Sequence, residues 1–256
     1  MSDHTDHHAP EGLRTRGTVI VVPGRGETRS TYGRLAARLA ADAYRVRVVD
    51  AQDTGAGDPT DLLDRFGARL TESVEGAVTD GDVAKPLVFL GADAGAALLA
   101  AHLGRSALSG GDRAADAVVL AGLPGRGAAA VGTWEEELDV RTSCPTHRGT
   151  LSADPRVRRG SLSDELPEAL LDSAYEAAFT VPALFLVGDA DPLADRDALG
   201  RGAASLPRAR LSTVRGAHHD VLNDVQHRSV AAEIIAFLET LRNELVPVVT
   251  VESSAW

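Results

Sequence analysis

The chain of 256 residues has a single cysteine, Cys144. No intrachain disulfide can form, and an oxidising compartment is not implied. Aromatic residues make up only 4 %, so few side chains are on hand to protonate a leaving group. There is no Lys/Arg run, and the formal net charge is −11 with a pI near 5.2. Nucleic acid and anionic membranes therefore have no electrostatic footprint here. The first ten residues lack the apolar core of a signal peptide, and no apolar run reaches membrane-spanning length. These absences predict a cytoplasmic protein. No His/Cys/Asp/Glu set has metal-ligand spacing, and Gly24 and Gly26 are not followed by the rest of a dinucleotide fingerprint. Neither a metal nor any other cofactor is expected. Cys144 is followed by Pro145, which suits a turn better than a nucleophile. The expected partner is a small-molecule substrate; nothing in the sequence sets an oligomeric state.

What is present is globular: 44 % hydrophobic and 25 % charged residues. Short apolar runs alternate with helical periodicity, predicting an α/β fold with a mostly parallel sheet of about six strands and helices on both faces. The runs are 18–22, 45–49, 87–90, 117–120, 183–187 and 210–214. Their continuous Val/Leu character suits strands buried on both faces. Residues 1–16, with His4, His7 and His8, read as a disordered tail. Residues 17–245 form one domain, and 246–256 a tail that is either an added edge strand or a surface arm. About sixty residues between the fourth and fifth runs lack strand character, which predicts a lid over 124–181.

The informative polar residues follow three of these runs, at the strand ends where open α/β sheets bind ligands. Gly91-Ala92-Asp93-Ala94-Gly95 is the frame of a nucleophile elbow, G-x-S-x-G, with aspartate in place of serine. Gly188-Asp189-Ala190-Asp191 follows the fifth run, and Gly216-Ala217-His218-His219 the sixth. The order is nucleophile, acid, histidine. No second elbow rescues a serine reading, because Gly104-Arg105-Ser106 lacks the second glycine.

Four segments resemble the α/β-hydrolase superfamily, most closely its lysophospholipase and monoacylglycerol-lipase branch. They are Pro23-Gly24-Arg25-Gly26-Glu27 with Tyr32 downstream, the Asp50–Gly57 loop, Gly188-x-x-Asp191, and Gly216-x-x-His219-x-x-Leu222-Asn223-Asp224. The resemblance spans residues 17–243 and implies an α/β-hydrolase fold with a reduced N-terminal hairpin. It also implies that Asp191 orients His219, that His219 is the general base, and that the Ala94 and Arg25 N–H groups form an oxyanion hole. Family spacing favours Asp191 over Asp189, and the Leu-Asn-Asp register favours His219 over His218. The pattern is broken at Pro23, where the branch has histidine, and at Asp93.

Aspartate at the elbow changes the chemistry. Attack on an ester carbonyl gives an intermediate that expels the carboxylate, of pKa about 4, rather than the alkoxide, so acyl transfer is disfavoured. Attack on a saturated carbon instead forms an alkyl ester of Asp93, whose carbonyl water can then open. The fold's epoxide hydrolases and haloalkane dehalogenases work this way, and that is the expected reaction. Trp134, His147 and Tyr175 in the lid are the candidates to bind substrate, and Trp134, His147 and Arg25 could assist the leaving group. The alternatives are a lyase, isomerase or cyclase using Asp93 as general base, or a catalytically altered esterase-like or binding protein.

Overall fold

The computed structural model describes residues 4–55, 58–78, 82–108, 115–127 and 129–254. The Gly57 end of the Asp50–Gly57 loop lies outside them. Seven strands form one sheet: β1 (His4–His7), β2 (Gly17–Val22), β3 (Tyr44–Val49), β4 (Leu87–Ala92), β5 (Ala117–Ala121), β6 (Ala183–Gly188) and β7 (Ala209–Val214). The spatial order is β1-β3-β2-β4-β5-β6-β7. β2 to β7 pair in parallel. Such strands need crossover connections, and helices supply them.

Side chains of the central strands alternate between two apolar layers. Ile20, Val22, Leu87, Phe89, Val118 and Leu120 face α2 (Pro59–Glu75), α3 (Ala94–Leu108) and α6 (Glu168–Tyr175). Val19, Val21, Val88, Leu90, Val119 and Leu184 face α1 (Gly33–Ala41) and α8 (His227–Leu241). α7 (Arg196–Ser205) lies between β6 and β7 in the chain. The helix starts follow local chemistry. Asp58 caps α2 through Thr60 N–H at 2.7 Å, with Pro59 in the first turn, where its missing donor is harmless.

The expectation of disorder through residue 16 is corrected at His4–His7, which pairs antiparallel with β3. Its register sets Asp6 opposite Arg47. Asp6 takes 2.7 Å bonds from Arg47 Nε and Nη2 and a 3.1 Å bond from Arg45 Nη2. Burial pushes this carboxyl up, but hydrogen bonds from Arg47 and Arg45 hold it at about 2. Asp6→Ala should therefore release β1 at a cost of about 1–3 kcal/mol, read as faster amide exchange at residues 4–7 while β2 stays protected. At the other end, residues 246–254 form no strand, and Val246, Val248, Val249 and Val251 are exposed. Residues 255 and 256 lie outside the described set.

Between β5 and β6 the insertion carries α4 (Trp134–Arg141), α5 (Pro145–Ala153) and α6. α4 opens with a Thr133/Glu136 capping box. Leu138, Leu151 and Val157 make a small apolar cluster of their own.

Candidate active site

The elbow is a steric construction. An added Cβ at Gly91 would sit 2.6 Å from the Gly95 carbonyl carbon, and one at Gly95 only 2.4 Å from Val22 O. Both glycines therefore let β4 turn into α3 hard against β2. The residue between them, Asp93, has φ +48°, a conformation that costs a non-glycine residue roughly 1–2 kcal/mol. Its backbone is held by a 3.0 Å bond to Ala121 O, and its carbonyl accepts Ala96 and Ala97 N–H at 3.0 and 3.1 Å.

Three loops converge on this side chain. His219 Nε2 lies 3.1 Å from Asp93 Oδ1, and His219 Nδ1 lies 3.0 Å from Asp191 Oδ2. Asp189 faces elsewhere, accepting Gly216 N–H at 2.5 Å. His218 pairs with Asp224 at 2.9 Å. Asp93, Asp191 and His219 are all buried.

The fourth member is Arg25. Its backbone N–H donates to Asp93 Oδ2 at 2.8 Å. Its guanidinium closes on the same carboxylate, Nε to Oδ2 at 2.9 Å and Nη2 to Oδ1 at 2.8 Å. The Arg25 donor expected to serve an oxyanion is thus occupied by the elbow carboxylate. The remaining Nη1 donates to Asp164 O of the insertion at 2.6 Å. The space next to Asp93 and His219 is a cavity of about 10 Å³, room for roughly one water.

Charges alternate along the chain Arg25–Asp93–His219–Asp191. Burial pushes Asp93 up, but the Arg25 charge and the His219 hydrogen bond hold it well below the usual carboxylate range. Burial pushes His219 down, yet the charge and hydrogen bond of Asp191, with those of Asp93, raise it to about 10. Its folded value lies above the ordinary 6.5, so the stability it contributes is full below pH 6.5 and is lost as pH rises through 10. Nitrogen-detected NMR should find His219 still an imidazolium at pH 8.5. In Asp191→Asn it should titrate at least one unit lower.

A second buried polar group flanks the first. Glu27 Oε2 accepts Gly24 N–H at 3.0 Å and the Tyr32 hydroxyl. Asp220 meets His147 Nε2 at 2.8 Å and Arg141 Nη1 at 3.4 Å. Burial and the neighbouring Asp220 charge raise Glu27 to about 7. Among the described residues, Glu27, His147 and Asp220 are the set whose ligand atoms could converge on a cation, all within 4.8 Å of one another. Arg141 already brings a positive charge to that spot. Arg141 also donates to Glu137 Oε1 at 3.0 Å and to Arg25 O at 2.9 Å, tying the insertion to the loop after β2.

The lid candidates separate. His147 joins this second group, whereas Trp134 donates to Ser152 Oγ at 3.1 Å and stacks with Arg159. Tyr175 donates to Pro124 O at 3.1 Å beside an apolar pocket lined by Leu123, Phe179 and Phe185. Neither aromatic lines the space at Asp93. The Arg25 guanidinium as partner of Asp93 escaped the sequence reading. The signal was there: a cation in the strand-end motif accompanies the added anion at the elbow.

Comparisons with known proteins agree with this architecture. No curated protein matches the sequence. Among solved structures, a soluble variant of monoglyceride lipase from Saccharomyces cerevisiae, in complex with a substrate analog, superposes with a TM-score of 0.72. It shares 14 % identity, over 93 % of this chain and 91 % of that one. A monoacylglycerol lipase from Paleococcus ferrophilus gives 0.69 at 16 % identity, over 93 % and 98 %. A lipase-esterase related protein from Clostridium acetobutylicum gives 0.64 at 15 %, over 91 % and 99 %. At such identities the likeness speaks for the fold alone. The family model described as serine aminopeptidase, S33 matches residues 14–226. The chain belongs to that family of hydrolases, within the α/β-hydrolase superfamily.

Proposed function

We propose that the protein is a hydrolase in which Asp93 displaces a leaving group from a saturated carbon of an epoxide or alkyl halide, with Arg25 holding the carboxylate in reserve while the site is closed. The observation that carries this reading is the seating of Asp93: Oδ2 on the Arg25 backbone N–H at 2.8 Å, Oδ1 at 3.1 Å from His219 Nε2. An alkyl ester formed at Oδ1 keeps its carbonyl oxygen on that N–H, polarised for attack. In the first step the Oδ1–carbon bond forms and the leaving group departs with its electron pair. Asp93 then loses its charge, so one of the two carboxylates that raise His219 is gone. The histidine falls back toward the range of a general base and gives up its Nε2 proton, to solvent for a halide or to the new alkoxide for an epoxide. Water attacks the ester carbon and gives its proton to Nε2. That proton passes to the departing alkoxide, and the Asp93 carboxyl gives its own proton to His219, restoring the resting imidazolium–carboxylate pair.

A second reading draws on the bidentate Arg25 clamp and the cavity of about 10 Å³. Here Asp93 is a fixed anion and the site has no turnover. His219 and Asp191 then have a physical reason to persist without catalysis, since they complete a neutral row of alternating charges.

A single turnover in heavy-oxygen water, followed by mass spectrometry of the Asp93 peptide, separates the two. Label in the Asp93 carboxylate with an epoxide or alkyl halide supports the alkyl-ester route. If neither the parent nor Arg25→Gln incorporates label across both substrate types, the fixed-anion reading stands.

A further inference from the structure

We infer that the substrate of this site carries a carboxylate, which takes the Arg25 guanidinium from Asp93 and thereby frees the nucleophile. The inference rests on the reading of Asp93 as nucleophile. Arg25 is itself 4 % exposed, so its charge cannot turn outward to water when it lets go. Its Nη1 stays engaged by the Asp164 carbonyl at 2.6 Å, which keeps the guanidinium at the mouth of the elbow. The other edge of the guanidinium, Nε and Nη2, is already in fork register with two carboxylate oxygens at 2.9 and 2.8 Å. An incoming carboxylate reproduces that pairing atom for atom. A neutral substrate leaves the buried guanidinium unpaired, and breaking a buried pair by withdrawing one partner lowers occupancy of the open state by roughly two to three powers of ten.

Local charge points the same way. In the closed form the two cations Arg25 and His219 balance Asp93 and Asp191. Once Asp93 is alkylated, it no longer offers a carboxylate to the guanidinium beside it. A substrate carboxylate on Arg25 gives the guanidinium an adjacent anionic partner before and after bond formation. Arg25 is thus a specificity-determining residue as well as a latch.

The test compares bromoacetate with bromoacetamide, similar in size and reactive carbon but different in charge, on the full chain at pH 7.5. Attack at Asp93 is scored on its peptide by mass spectrometry, as retained ester or, in heavy-oxygen water, as label left in the carboxylate after hydrolysis. Peptide resolution separates this from modification at Cys144. Bromoacetate should react at Asp93 at least about 100-fold faster than bromoacetamide. Arg25→Lys, which keeps the charge and loses the fork, should cut that preference tenfold or more. Equal or faster labelling of Asp93 by bromoacetamide in the parent overturns the inference and leaves the nucleophile reading standing. If neither reagent reaches Asp93 while a neutral epoxide or alkyl halide labels it, the inference is overturned; if none of them labels it, the nucleophile reading fails. Propionate binding, followed by the Arg25 Nε–H resonance, then decides the remainder. A shift of that resonance that saturates, with a matching shift of the residue 25 backbone N–H that is absent in Arg25→Lys, retains carboxylate recognition, and no shift in the parent overturns it.

Discussion

Arg25→Ala should lower the unfolding free energy by about 3–5 kcal/mol, the largest loss we expect from any single truncation at the elbow. The substitution leaves Asp93 buried at 4 % exposure with only the Arg25 backbone N–H and His219 as partners. The row then holds two carboxylates and one imidazolium in a space that excludes water. In a chain of this size the loss corresponds to a fall in melting temperature of roughly 6–20 °C. The pH dependence should change with it. In the parent, Asp93 is held below its unfolded value near 3.9, so its contribution is present above pH 3.9 and disappears as pH falls. Without the guanidinium, burial is opposed by His219 and one backbone donor alone, and that depression shrinks. Denaturant titrations at pH 3 and pH 7 measure both effects. Arg25→Ala combined with Asp93→Ala should recover at least half the loss, because the stranded charge leaves with its partner. A single-variant loss below about 1 kcal/mol would show that the pair is solvated in the protein, and the latch argument would go with it.

That latch also marks where sequence reasoning stopped. The parallel core was legible because strands buried on both faces must be apolar at every position, as Val19-Ile20-Val21-Val22 and Leu87-Val88-Phe89-Leu90 are. β1 was not, because His4-Thr5-Asp6-His7 has no apolar face. It is held instead by ion pairs from Asp6 to Arg45 and Arg47, and charges 39 and 41 residues away leave no local pattern. At the site, Asp93, Asp191 and His219 each follow a strand at a spacing that a local motif captures. The Arg25 guanidinium meets Asp93 across 68 residues, and nothing near residue 25 says which way that side chain turns. The same holds for Arg141, whose buried bonds to Arg25 O and Asp220 join the insertion to the site. Trp134 and Tyr175 are aromatics in an inserted segment, a place from which such side chains commonly reach a substrate. Here Arg159 and the Pro124 carbonyl engage them instead.

If Arg25 and Asp93 are a matched pair that closes a serine-type frame, reversing both should reopen it. The variant Asp93→Ser with Arg25→Ala places a hydroxyl on the elbow, within reach of His219 Nε2, while His219 Nδ1 keeps Asp191 at 3.0 Å. Removing the Asp93 charge withdraws one of the two carboxylates that raise His219, so the imidazole becomes a base near neutral pH. The backbone N–H of residue 25 survives the truncation and, no longer occupied by Oδ2, faces an oxyanion. Loss of the guanidinium also vacates the mouth of the elbow. Hydrolysis of p-nitrophenyl acetate should rise by about 10²–10⁴-fold over the parent, the range a positioned general base contributes, and should collapse when Asp191→Asn is added. Asp93→Ser alone should gain far less, because the unpaired Arg25 guanidinium remains buried beside His219 and holds its basicity down. The single variant must therefore also lose stability that the double regains. If the single matches the double in esterase rate, the guanidinium does not obstruct the elbow, and its role shrinks to balancing the charge of Asp93.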